Sequence, residues 1–218
     1  MQALMMDTPL MISSILKHAE RNFPEVEMVS VTVDQPRHRQ NNKVFASRCR
    51  KLAKALESLG AEFGDRIGTL AWNDFRHMEL YYAVSGAGMV CHTINPKLFP
   101  EQVAYIINHA DDKILFVDVL VVPLLEALQE HIKKVDCIVV LTDKAHMPDS
   151  CLENLVCYEE LLEAQTDSYE WPLFDENTAC GMCYTSGTTG NPKGVVFSHR
   201  STVLHALAGA LPDVTGAS

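Results

Sequence analysis

The sequence predicts an α/β fold in which a mostly parallel sheet is covered by helices on both faces. Short runs rich in β-branched residues alternate along the chain with longer amphipathic stretches, without an internal repeat or a low-complexity segment. Of the 218 residues, 47% are hydrophobic and 21% are charged, so the chain can form one sizeable core. Strands that alternate with helices of this length form βαβ units, which make neighbouring strands parallel.

The individual elements follow from hydrophobic periodicity and from Gly, Pro and capping residues. A first helix is expected to have Thr8 as its N-cap and Pro9 at its first position. An amphipathic helix is expected over residues 44–59, with Gly60 as the glycine that follows a helix end. The remaining predicted strands are 26–33, 66–72, 90–94, 113–117, 136–142 and 178–184, and the remaining predicted helices are 75–87, 100–109, 123–132, 158–164 and 199–209.

Charge and hydropathy exclude several classes of protein. A net charge of -10 and a pI near 5.3 argue against a broad nucleic-acid-binding or anionic-membrane surface. A local phosphate site stays compatible with this charge, because it needs only a few N–H groups and one or two cations. No apolar run is long enough to predict a transmembrane segment, and the N-terminus lacks the basic start of a secretory signal. We therefore expect a cytoplasmic protein.

The seven cysteines are odd in number and scattered, which favours reduced thiols over a disulfide framework. Cys180 and Cys183 form a C-x-x-C pair, for which three interpretations exist. A zinc site would need a second close pair, and Cys151 and Cys157 are too widely spaced. A thioredoxin-like redox site would lie at a helix start, whereas this pair lies in a strand-like run. We favour small buried strand residues.

The most informative segment runs from Tyr184 to Val195, between a predicted strand and a second apolar run. Its residues 185–194 contain three glycines, four hydroxyl side chains and Lys193. Glycines let backbone N–H groups approach an anion, hydroxyls add donors, and lysine adds a flexible positive charge. It is not a Walker A loop, because Gly194 follows the lysine where that motif has Ser or Thr. A flexible surface hairpin is the alternative, but it does not account for the ordered string.

The string Thr185-Ser-Gly-Thr-Thr-Gly-Asn-Pro-Lys-Gly194 resembles the phosphate loop of the adenylate-forming superfamily. This superfamily comprises acyl-CoA synthetases, luciferases and peptide-synthetase adenylation domains. The flanking segments narrow the resemblance to medium- and long-chain fatty-acyl-CoA synthetases, over residues 8–211. The other matching segments are Arg50-Lys-Leu-Ala53, Leu59-Gly60, Gly64-Asp-Arg66, Leu70-Ala-Trp-Asn73, His92-Thr-Ile-Asn-Pro96, Tyr105-Ile-Ile-Asn-His109, Leu115-Phe-Val-Asp118 and Ser198-His-Arg-Ser201.

The sequence departs from the family pattern in two places and does not contain its later motifs. Residues 39–44 lack the Thr-Tyr pair that usually opens the next helix, and residues 214–218 do not match the family continuation. Four features of the family cannot be placed in this sequence. They are an aromatic-His segment near the acyl pocket, a glutamate for magnesium, an aspartate for ribose and a catalytic lysine in the C-terminal domain. The resemblance implies that residues 1–218 are the N-terminal part of an AMP-binding (adenylation) domain, without the C-terminal domain. We expect this chain to be inactive by itself.

The resemblance also implies a reaction and a set of ligands. Family enzymes join a carboxylate to ATP, which gives acyl-AMP and pyrophosphate, and then transfer the acyl group from acyl-AMP to the thiol of CoA. The implied ligands are ATP, Mg²⁺, coenzyme A and a fatty acid, and a homodimer is compatible with the family. Lys193 would be catalytic and Thr185 would also help to coordinate magnesium. The residues expected to bind ATP are Thr185, Ser186, Gly187, Thr188, Thr189, Gly190 and Lys193.

Two other functions remain open at this point: a non-catalytic ATP-binding or partner-binding remnant, and an adenylating enzyme for another carboxylic acid. Several further side chains are expected to be structural. His199 is expected to be a surface residue at a helix cap, with a nucleotide or acyl contact as the alternative, and Trp72 and Tyr81 are expected in the core. No role is assigned to His18, His77, His109, His131 and His146.

Overall fold

The computed structural model of the protein describes residues 4–153, 155–185 and 190–215. Helices and strands alternate along most of this range. The strands are β1 (Glu27–Ser30), β2 (His38–Asn41), β3 (Arg66–Leu70), β4 (Val90–Thr93), β5 (Ile114–Val117), β6 (Cys137–Val140), β7 (Leu155–Cys157), β8 (Ala179–Thr185) and β9 (Lys193–Ser198). The helices are α1 (Ile12–Asn22), α2 (Asn42–Ser58), α3 (Phe75–Gly86), α4 (Pro100–Ala110), α5 (Val122–Leu128), α6 (Tyr158–Glu163), α7 (His199–Gly209) and α8 (Pro212–Thr215).

A seven-stranded sheet of order β7-β6-β5-β3-β4-β8-β9 forms the centre of the structure. Its neighbouring strands are parallel until the last pair, in which β9 runs antiparallel to β8. The strands β1 and β2 form a separate antiparallel ribbon. This topology confirms the predicted mixed α/β fold with a mainly parallel sheet.

Helices cover both faces of the sheet because its central strands are apolar on both sides. All four residues of β5 are buried, and successive side chains point to opposite faces. Phe116 packs in a cluster with residues of α2, α3 and α6. Leu115 and Val117 pack in a second cluster with residues of α4 and α5. Each face therefore has its own apolar core. Among the described residues, no helix is both long and apolar enough to cross a bilayer.

The N-terminal helix begins later than the sequence predicts, so the assignment of Thr8 and Pro9 to its start is wrong. Helix α1 begins at Ile12, and its N-cap residue Met11 makes no side-chain capping bond. The N–H groups at this end have distant partners instead. Leu10 N donates to Glu176 Oε2 at 2.8 Å, and Ile12 N donates to His199 Nδ1 at 3.2 Å. Long-range acceptors thus replace the local cap.

A buried ionic network joins α2, α3 and α6 beneath one face of the sheet. Arg48 donates to Glu79 through Nε at 2.7 Å and to Glu159 through Nη1 at 2.9 Å. The Tyr158 hydroxyl donates to the other oxygen of Glu79 at 2.6 Å. Burial raises the pKa of Glu79, and the Arg48 guanidinium opposes that rise. The carboxylate and the guanidinium therefore depend on each other to be tolerated in the core.

Arg76 extends this network to the loop after β1. Its Nη1 donates to Asp34 at 3.0 Å and to the carbonyl of Leu141 at 3.1 Å, and its Nε donates to Glu159 at 2.8 Å. Burial raises the pKa of Asp34, but hydrogen bonds from Arg76 and Thr32 outweigh it and lower that pKa to about 2. The network therefore fixes a loop that has little regular structure of its own.

Replacement of Arg48 by Met is expected to lower the free energy of unfolding by about 3 kcal/mol, because it leaves the buried Glu79 carboxylate without its cation. Chemical denaturation at pH 7.5 measures this loss. Arg39→Met is the matched control, since Arg39 pairs with Glu27 at the exposed surface, and it should cost less than about 1 kcal/mol. Equal losses in the two variants would contradict the role given to the network.

Candidate active site

The glycine-rich segment connects β8 to β9 at the carboxyl edge of the parallel sheet. Strand β8 pairs in parallel with β4, with Thr93 opposite Cys183, so both strands end at the same edge. Ligands of open α/β sheets bind at this edge, where loops leave the strands. Four predicted phosphate-binding residues, Ser186, Gly187, Thr188 and Thr189, lie outside the described residues.

The two ends of this segment are described, and the β-hairpin brings them together. Thr185 and Lys193 are directly opposite each other in the β8–β9 register, and both are exposed. Gly190, three residues before β9, has a φ of 95°, which favours glycine at that position. The predicted phosphate ligands Thr185 and Lys193 are therefore neighbours at the mouth of the loop.

A close approach between Tyr184 and Gly194 sets the geometry of this hairpin. A Cβ added to Gly194 would lie 3.3 Å from Cζ of Tyr184 and 3.5 Å from its hydroxyl oxygen. Another residue at 194 would require the tyrosine ring to shift by a few tenths of an ångström. The glycine that follows the lysine thus permits close packing of Tyr184, in addition to any approach to an anion.

A polar cavity of about 340 Å³ opens beside the loop, at the carboxyl ends of β3, β4 and β8. Its position at the edge where the parallel strands end suits a small polar molecule. Asp118, at the end of β5, accepts a hydrogen bond from Trp72 N at 2.5 Å near this edge, and burial raises its pKa to about 6. The polar residues that line the cavity are Asn73, His77, Tyr81, Thr93, Asn95 and Tyr184.

The C-x-x-C pair lies on β8, and Cys183 also lines the polar cavity. Cys180 is buried and Cys183 is partly buried, and both line an apolar cavity of about 700 Å³ between the sheet and α1, α3 and α7. Within residues 4–153, 155–185 and 190–215, the one group of three potential metal ligands whose ligand atoms lie within 4.8 Å of one another does not include either cysteine. It consists of Asp34, Asp143 and His146, and Asp34 already pairs with Arg76. This placement agrees with the interpretation of Cys180 and Cys183 as small strand residues.

His199 is buried, which contradicts the expectation of a surface residue. It is the first residue of α7, and the cap is made instead by Ser198, which forms a capping box with Ser201. The His199 Nδ1 accepts from Ile12 N, and its ring meets Phe174 edge-on at 5.1 Å. Burial lowers its pKa to about 4. Its function is to join α1 to α7, the helix that follows the hairpin.

Trp72 and Tyr81 lie near the surface, so the expectation of core positions is wrong. Their exposed fractions are 43% and 42%. Trp72 follows the end of β3, and Lys97 Nζ lies 5.3 Å from the centre of its ring. Tyr81 lines both the polar and the apolar cavity. Tyr81 thus faces the cavities from helix α3, which periodicity alone does not reveal.

His109, to which the sequence assigns no role, forms a hydrogen bond with Tyr184. Its Nδ1 lies 2.6 Å from the Tyr184 hydroxyl oxygen. His92 in turn lies beside the same ring, with centroids 5.3 Å apart. Both histidines belong to the segments His92–Pro96 and Tyr105–His109 that carry the family resemblance. Their position in those segments is the one signal in the sequence that could have selected them.

Substitution of His199 by Asn is expected to change how stability depends on pH. The unfolded histidine binds a proton below about pH 6.5, whereas the folded one resists it down to about 4, so the wild type loses stability as the pH falls through this window. Between pH 7.5 and 4.5 the wild type should lose about 2 kcal/mol more than the variant, whose amide oxygen can still accept from Ile12 N. Denaturation curves at several pH values measure this difference. Parallel pH profiles for the two proteins would contradict the assignment.

The family model described as AMP-binding enzyme matches residues 16–216 of the chain. Among curated proteins, a 3-methylmercaptopropionyl-CoA ligase of Ruegeria lacuscaerulensis is 50% identical over 98% of this chain, and the match covers 40% of that protein. A medium-chain-fatty-acid–CoA ligase of Ectopseudomonas oleovorans is 47% identical over 98% of this chain and 39% of its own length. The chain therefore spans about two fifths of the length of these relatives.

Solved structures share the fold. The anthranilate CoA ligase AuaEII, in complex with anthranoyl-AMP, superposes with a TM-score of 0.75 at 23% identity, covering 89% of this chain and 36% of that one. The ATP-bound form of MatB from Rhodopseudomonas palustris superposes with a TM-score of 0.72 at 18% identity, over 93% of this chain and 37% of that one.

Proposed function

The chain belongs to the family of AMP-binding enzymes, and from that premise we propose that it forms the ATP-phosphate-binding part of a fatty-acid–CoA ligase. The observation that carries the proposal is the β8–β9 hairpin, which holds Thr185 opposite Lys193 at the carboxyl edge of the parallel sheet. In this proposal residues 1–218 are the N-terminal part of the adenylation domain. The proposed reaction joins a fatty acid to ATP, giving acyl-AMP and pyrophosphate, and then transfers the acyl group to CoA.

The chemistry of this step explains why such a loop is needed. Two anions, a carboxylate and the triphosphate, must meet while negative charge grows on the departing pyrophosphate. Donors and cations that are fixed in advance stabilise that charge without reorganising during the reaction. The exposed Lys193 ammonium supplies one such cation, on a chain that can follow the moving phosphate.

We assign the proposed phosphate contacts from the order of the residues between β8 and β9. Lys193 contacts the phosphates from β9, and Thr185 contacts them from the end of β8. The proposed set also includes the residues between them, which would present backbone N–H groups and hydroxyls to the β- and γ-phosphates. These residues are Ser186, Gly187, Thr188, Thr189 and Gly190.

Magnesium is part of the proposal, with Thr185 as a ligand. The exposed Thr185 hydroxyl is a hard oxygen donor beside the proposed phosphate position, and Mg²⁺ is commonly held by one or two protein oxygens together with phosphates and water. The residue present therefore fits the ion as a single protein ligand. When bound, the ion would neutralise phosphate charge. The chain's own contribution is to orient the triphosphate through Thr185 and Lys193.

The relatives support a fatty or related carboxylic acid as the substrate. One of them is a medium-chain-fatty-acid–CoA ligase, and the other is a ligase for 3-methylmercaptopropionate, a short acid with an apolar thioether. A straight-chain acid is favoured over an aromatic one, because neither of these two relatives is named for an aromatic acid. A non-catalytic ATP-binding protein is the second candidate, and Lys193 separates the two, since only a ligase needs it for turnover.

The protein encoded by the complete reading frame that contains these residues is expected to release pyrophosphate from ATP when a medium- or long-chain fatty acid is added. Lys193→Ala should lower kcat/KM about 100-fold, since removal of one charge-stabilising group typically costs on the order of 3 kcal/mol in the transition state. A coupled pyrophosphate assay measures both proteins.

Lys133→Ala is the control, because Lys133 is an exposed lysine that pairs with Glu130 and lies outside the hairpin. It should retain full activity. Fatty-acid-dependent release that is equal in Lys193→Ala and wild type would refute the role of the loop. An absence of release with every acid tested would favour the non-catalytic alternative.

A further inference from the structure

A chain of polar side chains lies beneath the hairpin, on the sheet face that α4 covers. It consists of Asp112, His92, Tyr184 and His109, which come from four different parts of the fold. Asp112 and His92 are fully buried. Buried polar groups with satisfied hydrogen bonds can fix a local geometry, whereas the His109–Tyr184 hydrogen bond at the other end of the chain is exposed. None of these four side chains has a part in the phosphate contacts proposed above.

The inner end of the chain is a buried hydrogen bond in the centre of the sheet. Asp112, which precedes β5, places its Oδ2 2.7 Å from His92 Nδ1 on β4. The strand β3 lies between these two strands, and its Gly68 makes the contact possible. A Cβ at Gly68 would lie 2.5 Å from Leu115 Cδ2 and 3.1 Å from Asp112 Oδ2, so a larger residue would displace the leucine and crowd the carboxylate. The pair fixes the orientation of the His92 ring.

Tyr184 forms the outer end of the chain, directly before the loop. Its ring lies beside His92 on one side and packs against the Gly194 backbone on the other. Its hydroxyl is hydrogen-bonded to His109, which is in the last turn of α4. Tyr105, one turn earlier in α4, stacks on His109 at 5.2 Å and limits how that ring can turn. Tyr184 is therefore held by contacts on β4, α4 and β9.

We propose that Tyr184 and His109 are positioning residues for the phosphate loop: their hydrogen bond fixes the first residues of β9, and so places Lys193 opposite Thr185. The inference rests on the proposed function, since the loop is taken to bind ATP phosphates. Lys193 is bonded covalently to Gly194, whose backbone packs on the Tyr184 ring. Release of the tyrosine hydroxyl would let β9 and its lysine shift relative to α4.

The hydrogen bond can be tested without ligand by hydrogen exchange in the 218-residue protein. Tyr184→Phe removes only the hydroxyl, and His109→Leu removes only the ring that binds it. Both variants should speed amide exchange in residues 193–197 of β9 and leave exchange in β3 and β5 unchanged. His109→Asn, which keeps a hydrogen-bonding atom near the position of Nδ1, should restore most of the protection.

Titration with Mg·ATP tests the consequence for binding. Tyr184→Phe and His109→Leu are each expected to weaken the Kd three- to tenfold, the range that the loss of one hydrogen bond produces. The double variant should be no weaker than either single one, because both changes remove the same bond. Tyr169→Phe is the matched control, since Tyr169 packs on Trp171 in the cluster of the opposite sheet face, and its Kd should not change.

Faster exchange in β9 together with a weaker, non-additive Kd supports the proposal. Unchanged exchange in Tyr184→Phe overturns it, and so do additive losses in the double variant or an unchanged Kd alongside faster exchange. If wild-type protein does not bind Mg·ATP, the proposed function fails instead. The exchange comparison then still decides whether these two side chains fix Lys193.

Discussion

The parallel pairing of β8 with β4 is the constraint on which the rest of the site depends. Between these two strands the chain forms β5, β6 and β7 on the far side of β3, and then returns to the other edge of β4. This return sets Cys183 beside Thr93, so β8 ends where β3 and β4 end. The glycine-rich loop consequently leaves the sheet at the edge where open α/β folds bind their ligands. If β8 paired elsewhere, the same loop would lie far from the polar cavity.

Most of the fold could be predicted from the sequence, because the helices and parallel strands are local patterns with clear ends. Gly60, for example, has the positive φ that its position after α2 suggests. The elements that the sequence predicts poorly depend on contacts with other parts of the chain. Strand β2 is polar, since its four residues are His-Arg-Gln-Asn, and it exists through its pairing with β1. The start of α1 is decided by Glu176 and His199, more than 150 residues away along the chain.

The candidate site likewise contains residues that the sequence identifies and residues that only the structure identifies. Thr185 and Lys193 could be selected because an ordered string of Gly, Thr, Ser and Lys has few uses other than holding phosphate. His199 and Tyr184 could not, because a single histidine or tyrosine carries no pattern and its partner is known only in three dimensions. His109 could have been selected only through the family resemblance of residues 105–109. Burial decides these cases: it makes His199 an acceptor within the core. The ionic network around Arg48 and Glu79 is equally invisible in sequence, although it ties three helices together.

The most direct test of the account is whether this loop engages the phosphates of ATP. Phosphorus-31 NMR of Mg·ATP, with the 218-residue protein added in increasing amounts, observes the three phosphates separately. The account predicts that the β- and γ-phosphate resonances broaden and shift with wild-type protein, and that Lys193→Ala removes most of this change. Resonances that stay unperturbed, or that change equally with the two proteins, would contradict the assignment of a phosphate-binding loop.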